Sequence, residues 1–179
     1  MQFLKRVKLR KHISQKLMFN LGALLVVLWV ASCSRLPNIQ GKGETFLQGV
    51  WNQDSVGNQA QLQNYTLHKF KFTCDSFYVD FTTHAKVNYY EEACFNKGIW
   101  KEYAKGTYQV RNDTLMLIGD FTKPNYKQKV SGCYRNGRYL SNFKVKSWNA
   151  EQLALESLSD QTEVKLNIKE KITCVQKAL

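Results

Sequence analysis

The chain reads as an all-β protein: about eight antiparallel strands closed into an up-and-down barrel. Three observations predict this. From Phe46 onward the apolar residues recur with a period of two, the signature of half-buried strands. Turn residues separate these runs at short spacing, and no stretch of three turns carries an amphipathic helical stripe. Strands without helices make a sandwich or a barrel, and hairpin turns between successive runs favour the barrel. A length of 179 residues predicts one core, since about 150 residues make one ordinary domain.

A first strand lies around Val50-Trp51. Thr66–Cys74 then puts His68, Phe70, Phe72 and Cys74 on one side and Lys69 and Lys71 on the other. After Asp75-Ser76, Phe77, Val79 and Phe81 alternate with Tyr78, Asp80 and Thr82. Gly98–Val110 is a long strand with Trp100, Ala104, Gly106, Tyr108 and Val110 in one phase. Arg111-Asn112-Asp113 is a turn, and Thr114–Thr122 runs back with Leu115, Leu117, Gly119 and Phe121 in phase. Tyr139–Ser147 carries Phe143 and Val145, and Trp148-Asn149-Ala150 turns into Leu153 and Leu155. Last, Val164, Leu166, Ile168 and Ile172 alternate with Lys165, Asn167, Lys169 and Lys171.

The N-terminus has a different character. Residues 1–16 hold six basic residues and no acid, and Leu17–Ala31 is apolar apart from Asn20. That is the layout of a secretory signal peptide, and the apolar run is short for a span that needs about 20 residues. The junction Val30-Ala31-Ser32-Cys33 resembles the lipobox of bacterial lipoproteins. The resemblance implies a diacylglyceryl group on the Cys33 thiol, loss of residues 1–32 and attachment to the cell envelope. Ser34 stands where an Asp would retain such a protein in the inner membrane, so the resemblance favours the outer membrane. Residues 33–45 then form a lipidated cysteine and a polar, Gly-containing tether, and 46–179 form the domain. The signal takes six of the 26 basic residues and none of the 14 acidic ones, leaving 147 residues at +6 instead of +12. Half the net charge is therefore targeting signal, and no nucleic-acid partner is read from it.

Cys74, Cys94, Cys133 and Cys174 remain, an even number in an exported chain, and predict two disulfides. Three connectivities are open; loop positions near Gly and Asn lean towards Cys94 with Cys133, leaving Cys74 with Cys174. No CxxC spacing occurs, and with only His68 and His84 left no metal is expected. No cofactor is implied either: the chain has no P-loop, no G-x-S-x-G elbow and no H-E-x-x-H helix.

Gly49-Val50-Trp51, opening the first strand, resembles the G-x-W signature of lipocalins and related calycin barrels. With the all-β meander it makes residues 46–174 similar to the lipocalin-like lipoproteins common in Bacteroidetes. The segments Lys105-Gly106-Thr107-Tyr108, Asp113-Thr114-Leu115 and Asn149–Leu155 are similar in kind to that group. In that family the Trp closes the barrel floor and stacks with an Arg near the last strand. Here no Arg follows Arg138, and the last stretch offers only Lys165, Lys169, Lys171 and Lys177.

Three features carry candidate chemistry. The apolar set Trp51, Phe70, Phe72, Phe77, Phe81, Trp100 and Tyr108 either fills an eight-stranded barrel or lines a cup for one small hydrophobic ligand. The stretch Lys123–Tyr139 holds Lys123, Lys127, Lys129, Arg135 and Arg138 with Tyr126, Tyr134 and Tyr139 and no acid. It could meet an anionic glycan, with Tyr rings stacking on sugar. Trp51, Phe70, Phe72, Trp100, Tyr108, Lys127, Arg135 and Arg138 are thus the candidate ligand contacts. Asp80 and His84 are the third feature, an acid/base pair for a small hydrolase or lyase, although both fall in the outward phase of their strand. The stronger expectation is an envelope-anchored lipoprotein that binds a small amphipathic ligand or an anionic glycan, or that serves a structural role.

Overall fold

The computed structural model describes residues 39–88 and 90–178; the signal, the lipobox and Cys33 lie outside the described residues. The fold is all-β. Eight antiparallel strands pair in chain order: β1 (Gly49–Asn52), β2 (Asn64–Thr73), β3 (Ser76–Ala85), β4 (Ile99–Arg111), β5 (Thr114–Thr122), β6 (Arg138–Trp148), β7 (Gln152–Ser157) and β8 (Glu163–Lys171). Pairing of β1 with β8 closes the barrel and leaves no sheet edge. The α-helix α1 (Glu92–Phe95) has four residues and sits in the β3–β4 loop.

The predicted phases hold. Phe70 and Phe72, then Phe77, Val79 and Phe81, and Leu115, Leu117 and Phe121 all point into the barrel and are buried. Where β4 crosses β5, Gly106 faces Gly119. A Cβ on either would stand 2.0 Å from a carbonyl oxygen of the other strand, so only glycine lets the two backbones approach this closely.

The two ends of the barrel differ. The short β2–β3, β4–β5 and β6–β7 turns gather at one end, where Asn112 takes a left-handed φ of 52° in the β4–β5 turn. This end is closed. Leu47 and Trp51 seal it from below, with the Trp51 indole N–H donating to the Leu47 carbonyl at 2.8 Å. The motif glycine has a steric reason: a Cβ on Gly49 would meet Ile168 Cδ1 at 2.6 Å and the Glu170 carbonyl at 2.7 Å. In the β1–β8 register Trp51 faces Ile168, and among the described residues no cation stacks on its ring.

The segment before β1 belongs to this floor. Ile39 bridges Ala178, and Gly41 and Asp75 exchange hydrogen bonds at 2.9 and 3.1 Å. The Tyr108 hydroxyl donates to the Cys74 carbonyl at 2.7 Å and accepts from the Glu44 N–H at 3.0 Å and Gln48 Nε2 at 2.9 Å. Residues 39–45, a tether by composition, are therefore strapped across the closed end. Cys74–Cys174 ties the C-terminal tail to the same place, and Cys94–Cys133 joins two loops at the other end.

Cys74–Cys174 spans 100 residues, and closing a loop of that size stabilises by about 4–5 kcal/mol in the chain-entropy account. Replacing both cysteines by Ala is expected to lower the unfolding free energy by about 3–5 kcal/mol in denaturant titrations. Non-reducing peptide mapping checks the pairing: any fragment linking Cys74 to Cys94 or Cys133 contradicts it.

Candidate ligand-binding site at the barrel mouth

The interior changes polarity along the barrel axis. Near the floor the inward positions are Phe70, Phe72, Phe77, Leu115, Leu153 and Leu166, all buried. Towards the open end the same inward phases deliver Gln53, His68, Thr83, Glu102, Ser141 and Ser157. Small and polar residues there do not fill the barrel, and a cavity of about 650 Å³ opens at the mouth. Phe81, Phe121, Tyr139 and Phe143 form its aromatic floor, and the β7–β8 loop adds Ser159, Asp160 and Thr162 to its wall.

Glu102 is the most demanding of these residues. Its side chain is 3% exposed, and a buried carboxylate needs a charged partner and hydrogen bonds. Arg135 supplies both. Its Nε and Nη2 donate to the two carboxylate oxygens at 3.0 and 2.9 Å, and its backbone N–H donates to Oε1 at 3.0 Å. The Trp100 indole N–H adds a contact at 3.4 Å. The guanidinium lies over the rings of Phe81 and Phe121, 5.0 and 4.8 Å from their centroids. A planar, forked cation suits this stacked, bidentate seat as an ammonium would not.

Three consecutive residues carry this arrangement. Cys133 is bridged to Cys94, the Tyr134 hydroxyl donates to the Cys94 carbonyl, and Arg135 grips Glu102. Tyr134 also stacks on Trp100 at 5.3 Å, with Tyr90 edge-on to both. Lys129 Nζ donates to the carbonyls of Cys133 and Arg135. The basic, Tyr-rich stretch thus spends most of its side chains on its own structure. Tyr126 folds back on Tyr78 and Tyr103 and donates to Asp80, and Tyr139 lies inside the barrel.

His68 lines the same cavity, edge-on to the Phe81 ring that Arg135 covers. One oxygen, Gln53 Oε1, accepts the His68 backbone N–H at 3.2 Å and meets Nδ1 at 2.8 Å. An acceptor at Nδ1 places the ring proton there and leaves Nε2 with its lone pair. Burial, helped by the positive Arg135, pushes the imidazole down to about 4, so the ring is neutral at physiological pH. Burial pushes the Tyr139 phenol up to about 12. Hydrogen bonds from Ser157 and Thr162 hold the Asp160 carboxyl below its usual range.

Of the predicted contacts, Arg135 and Arg138 line the cavity, and Trp100 lines a shallow pocket beside it with Tyr90, Glu102 and Arg135. Trp51, Phe70, Phe72 and Tyr108 pack in the closed half, away from the cavity lining, and Lys127 is exposed outside it. Asp80 and His84 stay on the outer face, four residues apart on one strand, hence about 13 Å. Asp80 is held by Tyr126 and His84 stacks on Tyr65 at 4.8 Å, so the two share no site. The residues the period-two pattern leaves unremarked are Glu102, Gln53, Ser157 and Asp160. Glu102 carried a signal: an acid in phase with Trp100 and Ala104 must find a cation inside. No known protein family, curated protein or solved structure matches the chain.

His68 makes stability depend on pH. Its folded-state value of about 4 lies below the 6.5 of a free imidazole, so the unfolded chain binds the extra proton between those values. Stability is complete above about pH 6.5 and falls as pH drops towards 4, by about 2–3 kcal/mol through this residue. Denaturant titrations at pH 7 and 4.5 should show a loss in wild type that is smaller by about 2 kcal/mol in His68→Gln. Equal losses contradict a buried neutral imidazole.

Proposed function

We propose that the protein is a lipid-anchored envelope lipoprotein, lipocalin-like in kind and of the Bacteroidetes sort, whose barrel mouth holds a small amphipathic molecule. One observation carries the binding half of this reading. The cavity joins an aromatic floor to a rim of polar side chains, and a volume of about 650 Å³ falls within the range of small-molecule sites. An interior meant only for packing would be filled to crystal-like density. The anchoring half rests on the signal and on Val30-Ala31-Ser32-Cys33.

A sugar-stacking role for the basic loop has less support, because Tyr126, Tyr134 and Tyr139 are engaged by protein. A hydrolase or lyase reading needs a nucleophile, base and oxyanion donors in mutual reach, and Asp80 and His84 do not meet.

Native mass spectrometry of protein extracted from its own envelope tests both halves. The expected species begins at a diacylated Cys33 and carries a co-purifying small molecule, whose removal lowers the melting temperature by mass action. Cys33→Ala should abolish the lipid mass without changing the fold. A wild-type chain that starts at Met1 overturns the anchor, and a ligand-free chain stabilised by no amphiphile overturns the binding site.

A further inference from the structure

The proposed cavity has a definite charge character, and it narrows the ligand class. Arg135 on its wall, half exposed at the side chain, is already matched by Glu102 through two side-chain hydrogen bonds at 3.0 and 2.9 Å. The other two ionised groups on the wall, Arg138 and Asp160, are opposite in sign; Arg138 also lies 3.5 Å from Asp120. His68 is neutral. Arg135 and Arg138 with Glu102 and Asp160, two cations and two carboxylates, therefore sum to zero at the wall. A carboxylate or ammonium head would leave its hydration shell for a site with no net charge to receive it, which is costly.

Among the polar groups of the cavity wall, Arg135 and His68 pair a donor with an acceptor. The fork uses Arg135 Nε and one N–H of Nη2; among the described residues Nη1 has no partner. On the His68 ring, Nδ1 is taken by Gln53 Oε1 and Nε2 has no partner among the described residues. A hydroxyl suits either group, its oxygen accepting from Nη1 or its hydrogen donated to Nε2. The apolar part of such a molecule would lie on Phe81, Phe121, Tyr139 and Phe143.

Resting on the reading that the cavity holds an amphiphile, we infer that its ligand is an uncharged, hydroxyl-bearing one, recognised by Arg135 and His68. A carboxylate or cationic head is excluded by the internal Arg135–Glu102 pair. The mouth thus discriminates by charge and not by chain shape alone.

Probes of one chain length separate the possibilities: 1-octanol, octanoate, octylammonium and octyl methyl ether, titrated at pH 7 into the full chain. The imidazole nitrogen resonances of His68, identified by their loss in His68→Phe, report on this cavity alone. The expected result is binding of 1-octanol at least tenfold tighter than octanoate or octylammonium. Octyl methyl ether, which accepts but cannot donate, should be weaker than 1-octanol by about tenfold, the worth of one hydrogen bond. In His68→Phe, followed by competition against a fluorescent alkyl probe, the gap between the alcohol and its ether should close. Octanoate or octylammonium binding as tightly as 1-octanol overturns the charge inference while leaving the cavity a binding site. Alcohol and ether binding equally in wild type removes His68 from recognition. No response to any of the four overturns the cavity reading itself.

Discussion

A carboxylate sits inside this barrel, and the architecture of the mouth follows from it. Glu102 occupies an inward position of β4, where water cannot reach it, and a lone ion there would be untenable. Its partner comes from a loop 33 residues away in sequence. To deliver Arg135 the loop is bridged to α1, stacked on Trp100 and capped by Lys129. The guanidinium then lies over Phe81 and Phe121, at once a roof for the core and a wall for the cavity. Removing Arg135 would leave Glu102 stranded inside the barrel, so the carboxylate depends on the loop.

The two ends of the barrel solve different problems with the same strands. The floor has to be closed, so Trp51 and Leu47 plug the opening, Tyr108 ties three chain segments through one hydroxyl, and a disulfide fixes the tail. At the mouth, inward positions change from Phe and Leu to Ser, Thr, His and Gln, so the barrel cannot close over its own side chains. Chain order produces this gradient directly. In an antiparallel meander the turns alternate ends, so the long loops all fall at one end and bring their polar residues with them.

Strand positions were legible because burial imposes a period of two. Phe70, Phe72, Phe77, Val79 and Phe81 declared their inward face, and Asp80 and His84 their outward one. Disulfide pairing was only partly legible, since four cysteines allow three arrangements and nothing local selects one. Of the site, Arg135 and Arg138 stood out by charge, but the roles of Trp51, Phe70, Phe72 and Tyr108 did not. An aromatic at an inward position looks the same whether it fills the floor or lines a cup, and only depth along the axis separates the two. Likewise the tyrosines of Lys123–Tyr139 read as free rings; their partners Asp80, Trp100 and Phe81 are distant in sequence. Contacts between loops of separate hairpins leave no local pattern to read.

The dependence of the mouth on the Glu102–Arg135 pair is open to one direct measurement: a double-mutant cycle in unfolding free energy. Glu102→Gln removes the charge and Arg135→Met keeps the stem over the rings. Arg135→Met should cost about 3–5 kcal/mol by leaving the buried Glu102 unmatched, and Glu102→Gln less, because the Arg135 side chain is half exposed. Their combination should cost no more than the worse single change, a coupling of roughly 2 kcal/mol or more. Losses that simply add would show that the two groups act independently and would contradict the account.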